Sequence, residues 1–386
     1  MNVVSKILNK FDEQEKFKLN VSIFDYSIEI FSTSQEALNY LKELFYPDNT
    51  NCLSQNKVFL GKRDLLIKNI NMDESELKDI MHNIIISWIY LGIVHPIKTA
   101  EVKKYIYNSW QAYIQSNKDK HSNPYILFKR ENEIIIITTK GFNNYKLLSW
   151  IVREIAGRRL ENNGYSIFHA GAVNINGKGV AIFGNSGAGK TTLALGLCKY
   201  EGAKYISSDR LYIKNNDINN CLESTSFSFP IRINYGTLLT LQEMNNYEKW
   251  NLQTPVPGED TTWKQFDGKD KLEITPYELE QKLLLQVSAK TNIDIVIFLN
   301  LLTNSNMNEY IYETNSELLE TNCWTPTDPS FAYDWLSQRN ISDELLLHSS
   351  KKIINSLMNL TNIKVKYSFL HFRDLCKEIA NITRSL

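Results

Sequence analysis

One stretch in the middle of the chain decides the fold, and it reads Gly184-Asn185-Ser186-Gly187-Ala188-Gly189-Lys190-Thr191. It matches the pattern G-x-x-x-x-G-K-[ST] in full. The apolar residues Val180–Phe183 come directly before it and predict a buried strand. The Ala- and Leu-rich stretch Thr191–Tyr200 follows and predicts a helix, with Gly202 just past its end. Strand, glycine-rich loop and helix in this order predict an α/β domain.

Each residue type in this loop suits phosphate binding. Glycines let the backbone curl so that successive N–H groups point inward at phosphate oxygens, and the helix that follows adds its positive N-terminal end. Lys190 would place its charge on the β- and γ-phosphates, and Thr191 would offer its hydroxyl to Mg²⁺. A chance match is the alternative, but the flanking strand and helix argue against it. We therefore predict that ATP and Mg²⁺ bind here, held by Gly184, Asn185, Ser186, Gly187, Ala188, Gly189, Lys190, Thr191 and Thr192.

An acidic residue follows the next predicted strand, Lys204–Ser207, and this residue is Asp209. Ligands of open α/β sheets bind in the crevice outside the carboxyl ends of the strands. Asp209 at such an end is therefore a candidate metal ligand or catalytic group. Before the loop, Ser166–Ala170 and Ala172–Ile175 are predicted strands. Asn176–Gly179 is a predicted hairpin turn, because Asn-Gly tolerates the positive φ that such turns need.

Taken together, these motifs resemble HPr kinase/phosphorylase, and still more the wider group of HPr-kinase-like proteins, some of them found with peptide-maturation genes. The resemblance is carried by the hairpin, the glycine-rich loop, Phe168-His169-Ala170-Gly171-Ala172-Val173 and Ile206-Ser207-Ser208-Asp209-Arg210. It covers residues 153–233 well and extends weakly through Ile293–Leu299 to the C-terminus. It implies a P-loop nucleotide-binding core of the HPr-kinase/PEP-carboxykinase-like type.

The resemblance also implies roles for individual residues. Lys190 and Thr191 would hold the phosphates and Mg²⁺, with Asp209 as the second metal ligand and a catalytic group. His169 would lie beside the transferring phosphate, although a lone histidine between apolar neighbours is as often a core residue. Arg232 would stabilise the transferred phosphoryl group, with a surface arginine at a strand end as the alternative.

The chain departs from the family pattern at one position. The family places two acids in succession after this strand, and here Ser208 replaces the first of them. Three explanations stay open. Asp209 performs both tasks, another acid such as Glu223 assists it, or phosphoryl transfer is impaired.

The remainder of the chain predicts a second domain. Residues 1–145 are predicted to form a smaller α+β domain that recognises the acceptor or mediates assembly, ahead of a kinase-like domain at 146–386. Within the first domain we expect a strand over Val21–Phe31, helices over Ser34–Leu44 and Ser75–Tyr90, and a helix or strand over Tyr105–Ser116. Trp250–Lys271 lacks periodicity and is expected to be a mobile functional segment or a disordered one.

Composition excludes several classes of protein. The 386 residues carry 43 basic and 43 acidic side chains, a balance that argues against a general nucleic-acid binder. The five cysteines form no CxxC pair, which argues against a zinc site and a disulfide framework and fits a reducing cytoplasm. All apolar runs fall short of the ~20 residues of a membrane span. We expect a cytoplasmic protein without nucleic-acid or membrane partners.

These observations predict an ATP- and Mg²⁺-dependent kinase. It would transfer the γ-phosphoryl group to a hydroxyl acceptor, either a Ser of a peptide or small protein or a small-molecule alcohol. The alternative is a nucleotide-gated regulatory module, or an NTPase without phosphoryl transfer. Assembly into a homo-oligomer stays open.

Overall fold

In a computed structural model the chain divides into two compact units. Met1–Arg159 and Pro329–Arg339 form the N-terminal unit, and Leu160–Asp328 and Asn340–Leu386 form the C-terminal unit. The structure describes residues 3–24, 26–47, 53–55, 63–96, 101–116, 123–139, 142–226, 229–243, 246–258, 262–265, 270–302, 308–326 and 334–386. The sequence-based division between residues 145 and 146 falls inside the helix Phe142–Asn162.

The N-terminal unit is built on a mixed sheet. Its described strands are β1 (Phe17–Ile23), β2 (Tyr26–Ser32), β3 (Leu53–Gln55), β4 (Leu65–Met72), β5 (Ile89–Val94), β6 (Val102–Tyr107), β7 (Trp110–Gln115), β8 (Tyr125–Arg130) and β9 (Glu133–Thr139). Their order across the sheet is β3-β1-β2-β4-β9-β8-β7-β6-β5. The helices are α1 (Val3–Glu13), α2 (Gln35–Leu44), α3 (Glu74–Ser87) and α4 (Phe142–Asn162). The apolar stripes of α1 and α3 share one buried cluster with residues of β6 to β9.

One prediction for this unit was wrong, one is confirmed, and one is confirmed except for the end of its helix. The single strand expected over Val21–Phe31 is a hairpin that turns after Phe24, whose φ is 55°. The helix expected over Ser75–Tyr90 ends at Ser87, and an edge strand follows it. The helix over Ser34–Leu44 is confirmed, because the Ser34 side chain accepts a hydrogen bond from the Ala37 amide at 3.1 Å. The open choice at Tyr105–Ser116 resolves as two strands.

The C-terminal unit holds a second mixed sheet. Its described strands are β10 (Ser166–Phe168), β11 (Gly171–Ile175), β12 (Lys178–Phe183), β13 (Lys204–Ser207), β14 (Leu211–Asn216), β15 (Cys221–Ser226), β18 (Lys290–Leu301), β19 (Glu309–Ile311) and β20 (Thr361–Tyr367). The order is β10-β14-β15-β18-β12-β11-β13, and β20 adds to β18 with β19 beside it. A separate ribbon pairs β16 (Ile231–Ile233) with β17 (Leu272–Ile274).

Helices cover both faces of this second sheet. They are α5 (Lys190–Glu201), α6 (Tyr235–Thr240), α7 (Pro276–Leu283), α8 (Ser316–Thr321), α9 (Asp343–Met358) and α10 (Phe372–Ser385). One buried cluster contains residues of α5 and α10, and the other contains residues of α9. Both units are therefore mixed α/β structures. No helix in the described part of the chain combines the length and the apolarity needed to cross a membrane.

The elements predicted around the glycine-rich loop are confirmed. Strand β12 pairs in parallel with β18, and β18 pairs in parallel with β20, so three parallel strands form the centre of the sheet. The hairpin between β11 and β12 turns at Asn176 and Gly177, whose φ values are 55° and 85°. Gly202, with a φ of 68°, ends α5.

The described part of Trp250–Lys271, which was expected to be a mobile functional segment or a disordered one, makes defined contacts, and its mobility stays a prediction. The Trp263 side chain is fully buried, and its ring lies 5.8 Å from that of Tyr235 and 5.9 Å from that of Tyr247. A carboxylate oxygen of Asp270 accepts hydrogen bonds from the amide and the hydroxyl of Thr262 at 2.9 and 2.7 Å. These contacts anchor the segment, while its residues 259–261 and 266–269 lie outside the described ones.

Candidate functional site

The glycine-rich loop joins the end of β12 to the first residue of α5. Gly187 and Gly189 have φ values of 82° and 90°, a region that residues with a Cβ adopt only at a cost. Gly184 and Gly189 are also needed for close packing. A Cβ atom at Gly184 would lie 2.8 Å from the carbonyl oxygen of Leu299, and one at Gly189 would lie 2.0 Å from the hydroxyl of Tyr367. The loop therefore rests directly on the ends of β18 and β20.

The ammonium group of Lys190 folds back over this loop. Its Nζ donates hydrogen bonds to the carbonyl oxygens of Gly184 at 2.7 Å and Asn185 at 3.3 Å. Burial lowers the pKa of Lys190 to about 8, the carboxylate of Asp209 opposes this shift, and the charge of Lys271 adds to it. Within the described part of the chain, the direct partners of this ammonium group are the two carbonyl dipoles, and an anion would stabilise such a buried cation strongly.

Asp209 and His169 lie together beside Lys190. The Nε2 atom of His169 is 3.5 Å from an Asp209 oxygen, and the guanidinium of Arg210 is 3.5 Å from the other. The His169 amide donates to the carbonyl of Asn322 at 2.8 Å, and the imidazole stacks on Trp324 with ring centroids 4.6 Å apart. The structure thus brings together two of the three predicted catalytic residues.

The environment of His169 keeps its imidazole neutral. Burial, as the largest cause, together with the positive charges of Lys190, Arg210 and Lys271, lowers the pKa of His169 to about 4, against the opposing effect of the Asp209 carboxylate. The neutral ring can exchange hydrogen bonds with a ligand but carries no charge at neutral pH. An anion bound among these cations would offset their charges and raise this pKa.

Arg232 lies on the β16–β17 ribbon, together with a cation that the sequence analysis missed. Arg232 stands opposite Glu273, with its Nε 3.7 Å from a carboxylate oxygen. Lys271 precedes β17 by one residue and alternates with Leu272, so Lys271 and Glu273 share the outer face of the ribbon. Desolvation lowers the pKa of Lys271, the charge of Arg232 adds to this, and Asp209 opposes it. The alternation of Lys, Leu, Glu and Ile at 271–274 was the sequence signal that could have indicated a strand with Lys271 on its polar face.

The two threonines at the start of α5 differ in availability. Thr192 is buried, and its hydroxyl shares a hydrogen bond of 2.7 Å with the hydroxyl of Thr237. The backbone amide of Thr192 is therefore the group that could donate a hydrogen bond to a nucleotide. Thr191 is half-buried, and within the described residues its hydroxyl has no hydrogen-bond partner. Of the two side chains, Thr191 is the one that can reach a ligand.

The position of the missing acid is occupied by a bonded side chain. Ser208 is buried, and its Oγ accepts a hydrogen bond from the hydroxyl of Tyr205 at 2.8 Å. Glu223, which was considered as a substitute acid, bonds the hydroxyl of Tyr165 and lies 3.8 Å from the ammonium of Lys214. Among the described contacts, Glu223 has none with His169, Lys190 or Asp209.

Comparison with known proteins adds little to this geometry. No model of a protein family matches the chain, and no curated protein matches it. Among solved structures, the chain is similar to the HPr(Ser) kinase/phosphatase from Coxiella burnetii. The sequence identity is 14% and the TM-score is 0.27, over 57% of this chain and 88% of that one. A TM-score this low carries no structural conclusion. The site itself defines a mixed α/β protein with a glycine-rich loop between a central strand and a helix.

Proposed function

We propose that the C-terminal unit binds ATP with Mg²⁺ and transfers the γ-phosphoryl group to a hydroxyl acceptor. The observation that carries this proposal is the position of the Lys190 ammonium, folded onto the carbonyls of Gly184 and Asn185 at the start of α5. Phosphate oxygens would take over these hydrogen bonds, and the first amides of α5 would add theirs. The acceptor is a Ser of a peptide or small protein, or a small-molecule alcohol.

The charges around the loop support a polyphosphate ligand. Lys190, Arg210 and Lys271 all act on the pKa of His169, and Arg232 acts on that of Lys271. Four cations thus adjoin this region, and among the described residues Asp209 brings the one carboxylate to it apart from Glu273 on the ribbon. Clustered cations repel one another, and a ligand with several negative charges removes that repulsion.

Thr191 and Asp209 have the chemistry that Mg²⁺ needs. Mg²⁺ is held by one or two protein oxygens together with phosphate oxygens and water, so a complete protein cage is not required. Within the described residues, no three His, Cys, Asp or Glu side chains form such a cage. When bound, the ion would neutralise charge on the phosphate oxygens.

The remaining residues would position and deprotonate the acceptor. Asp209 has a partly exposed carboxylate beside a neutral imidazole, so it can accept the proton of the incoming hydroxyl or bind the metal. His169 can hold a phosphate or acceptor oxygen by a neutral hydrogen bond. Arg232 and Lys271 would stabilise the charge of the transferring group from the ribbon.

One observation favours the second candidate, a nucleotide-gated module or NTPase without transfer. The hydroxyl of Ser208, at the position of the missing acid, is already bonded to Tyr205. One carboxylate would then have to serve both the metal and the acceptor. If the wild-type protein binds ATP but transfers nothing, the variant Ser208→Asp discriminates. A gain of transfer would identify a kinase that has lost its first acid.

The test of nucleotide binding is calorimetry with Mg·ATP on three proteins. Lys190→Ala should weaken binding by at least about 100-fold, because the phosphate charge loses its direct counter-charge. Lys204→Ala, an exposed lysine on β13 of the same unit, is the matched control and should leave the affinity unchanged. Equal affinities for the wild type and a folded Lys190→Ala variant would contradict the loop assignment.

A further inference from the structure

The sheet of the N-terminal unit ends in an edge strand with an unusual composition. Strand β5 pairs only with β6 among the described strands, so its other side presents unpaired N–H and C=O groups. The strand reads Ile-Tyr-Leu-Gly-Ile-Val and has no charged residue. Edge strands normally carry lysine or proline, or are very short, because a free apolar edge attracts another strand. Strand β5 has none of these three features, although its pairing with β6 is irregular between Tyr90 and Gly92.

Apolar side chains are exposed along this edge and next to it. They are 42 to 69% exposed and comprise Ile85, Ile86, Ile89, Tyr90, Leu91, Ile93 and Tyr107. Ile85 and Ile86 belong to the last turn of α3, Tyr107 belongs to β6, and the other four belong to β5. We call these seven residues the β5 patch.

The area of the β5 patch is that of an interface. With roughly half of about 150–250 Å² exposed per side chain, the seven residues present on the order of 700 Å² in total, counted over both faces of the sheet edge. The largest apolar patch on a typical monomer is about 300–600 Å². Each partner of a standard protein–protein interface buries about 800 Å². The β5 patch thus nearly suffices for one side of a stable complex.

We propose that the β5 patch binds the same patch of a second copy of this chain, with the two β5 strands antiparallel about a two-fold axis. A two-fold contact needs a self-complementary surface, and an uncharged apolar strand is one because two copies do not repel each other. A backbone edge offers alternating donors and acceptors, which an antiparallel copy of the same edge matches.

The opposite edge of the sheet favours a closed pair over an open chain of copies. Within the described part of the chain, β3 at that edge spans three residues, Leu53–Gln55, so β5 finds little to pair with there. A two-fold dimer that buries both β5 edges follows.

The test measures the oligomeric state of the full chain over a concentration series by sedimentation velocity. The wild type should sediment as a dimer that dissociates on dilution. Ile89→Lys should raise the dissociation constant by at least about 100-fold, because each dimer loses two exposed apolar side chains and gains two charges at the contact. The matched control is Ile218→Lys, since Ile218 is 94% exposed in the turn after β14 and lies in the other unit. It should leave the dimer intact.

Two results would overturn the proposal. One is a wild-type chain that stays monomeric up to about 100 μM, a concentration far above the range of stable dimers. The other is a dimer that Ile89→Lys does not weaken, which would place the interface elsewhere. Ile86→Lys, on the surface of α3, provides a second variant in case the change in β5 prevents folding. Circular dichroism of each variant distinguishes a lost dimer from a lost fold.

Discussion

The hydroxyl of Tyr367 donates a hydrogen bond to the carbonyl oxygen of Ala188 at a distance of 3.1 Å. Tyr367 is the last residue of β20 and is fully buried, and Ala188 lies in the glycine-rich loop. Residues 179 positions apart are thereby joined at the point where a nucleotide would bind. The same hydroxyl is the atom that a Cβ at Gly189 would strike. The Tyr367 hydroxyl thus fixes the position of the glycine-rich loop relative to the end of β20.

This contact predicts coupling between Gly189 and Tyr367. Gly189→Ala should destabilise the protein by more than Gly187→Ala. Both changes place an alanine at a position with a positive φ, but only the first places a Cβ against the Tyr367 hydroxyl. Tyr367→Phe removes that hydroxyl and should reduce the additional cost. The measurement is the free energy of unfolding of the single and double variants in urea, read as a double-mutant cycle. A strictly additive cycle would contradict the contact.

The low pKa of His169 predicts a pH dependence of stability. In the folded protein the pKa of His169 is about 4, below the 6.5 of an ordinary histidine, so the unfolded chain binds more protons between these values. The contribution of His169 to the free energy of unfolding is therefore fully present above pH 6.5 and is lost as the pH falls from 6.5 towards 4. His169→Phe should flatten the unfolding free energy across that window. An unchanged slope in this variant would show that other groups cause the pH dependence.

The pKa of His169 should also respond to changes of charge at the glycine-rich loop. Lys190→Met removes a positive charge that lowers the pKa of His169, so this pKa should rise in the variant. Saturation of the wild type with Mg·ATP should also raise it, because bound phosphates offset the neighbouring cations. Titration of the imidazole resonances by NMR measures both effects. A His169 pKa that responds to neither change would separate this residue from the phosphate site.

Lys271 provides a test of the missed part of the site. Lys271→Ala should weaken Mg·ATP binding by roughly 3–30-fold and reduce its salt dependence, because one cation is removed from the cluster. The effect should be smaller than that of Lys190→Ala, since Lys190 lies on the loop itself. Lys282→Ala, an exposed lysine on α7, is the control. The measurement is calorimetry at two salt concentrations. Equal Mg·ATP affinities of the two variants at both concentrations would show that the ribbon is not part of the site.

The loop and its flanking elements could be predicted because their signals are local. Val180–Phe183 is apolar throughout, the motif follows at once, and Gly202 marks the end of the helix. Asp209 could be placed by the rule that ligands bind at the carboxyl ends of strands. In each case a few consecutive residues carry the information.

The parts that sequence reasoning missed depend on long-range packing. Tyr367 reaches Ala188 only because β20 lies beside β18, and β18 beside β12. Trp324 stacks on His169 because Phe168 forms a bridge with Cys323. The hairpin after Phe24 was missed for a different reason. Its turn has no glycine or Asn-Gly pair, so the apolar alternation reads as one strand.

The most direct test of the central claim is the transfer of labelled γ-phosphate from ATP to candidate acceptors by the wild type and Asp209→Asn, with hydrolysis followed in parallel. The substitution keeps the shape of the side chain and removes its charge. Transfer should fall by about 10²–10⁴-fold, the usual effect of losing a positioned acid–base group. Mg·ATP affinity should change much less, because Lys190 and the loop amides carry most of it. Equal transfer by both proteins, or ATP binding by the wild type without transfer to any peptide, protein or alcohol acceptor, would contradict a kinase that works through Asp209.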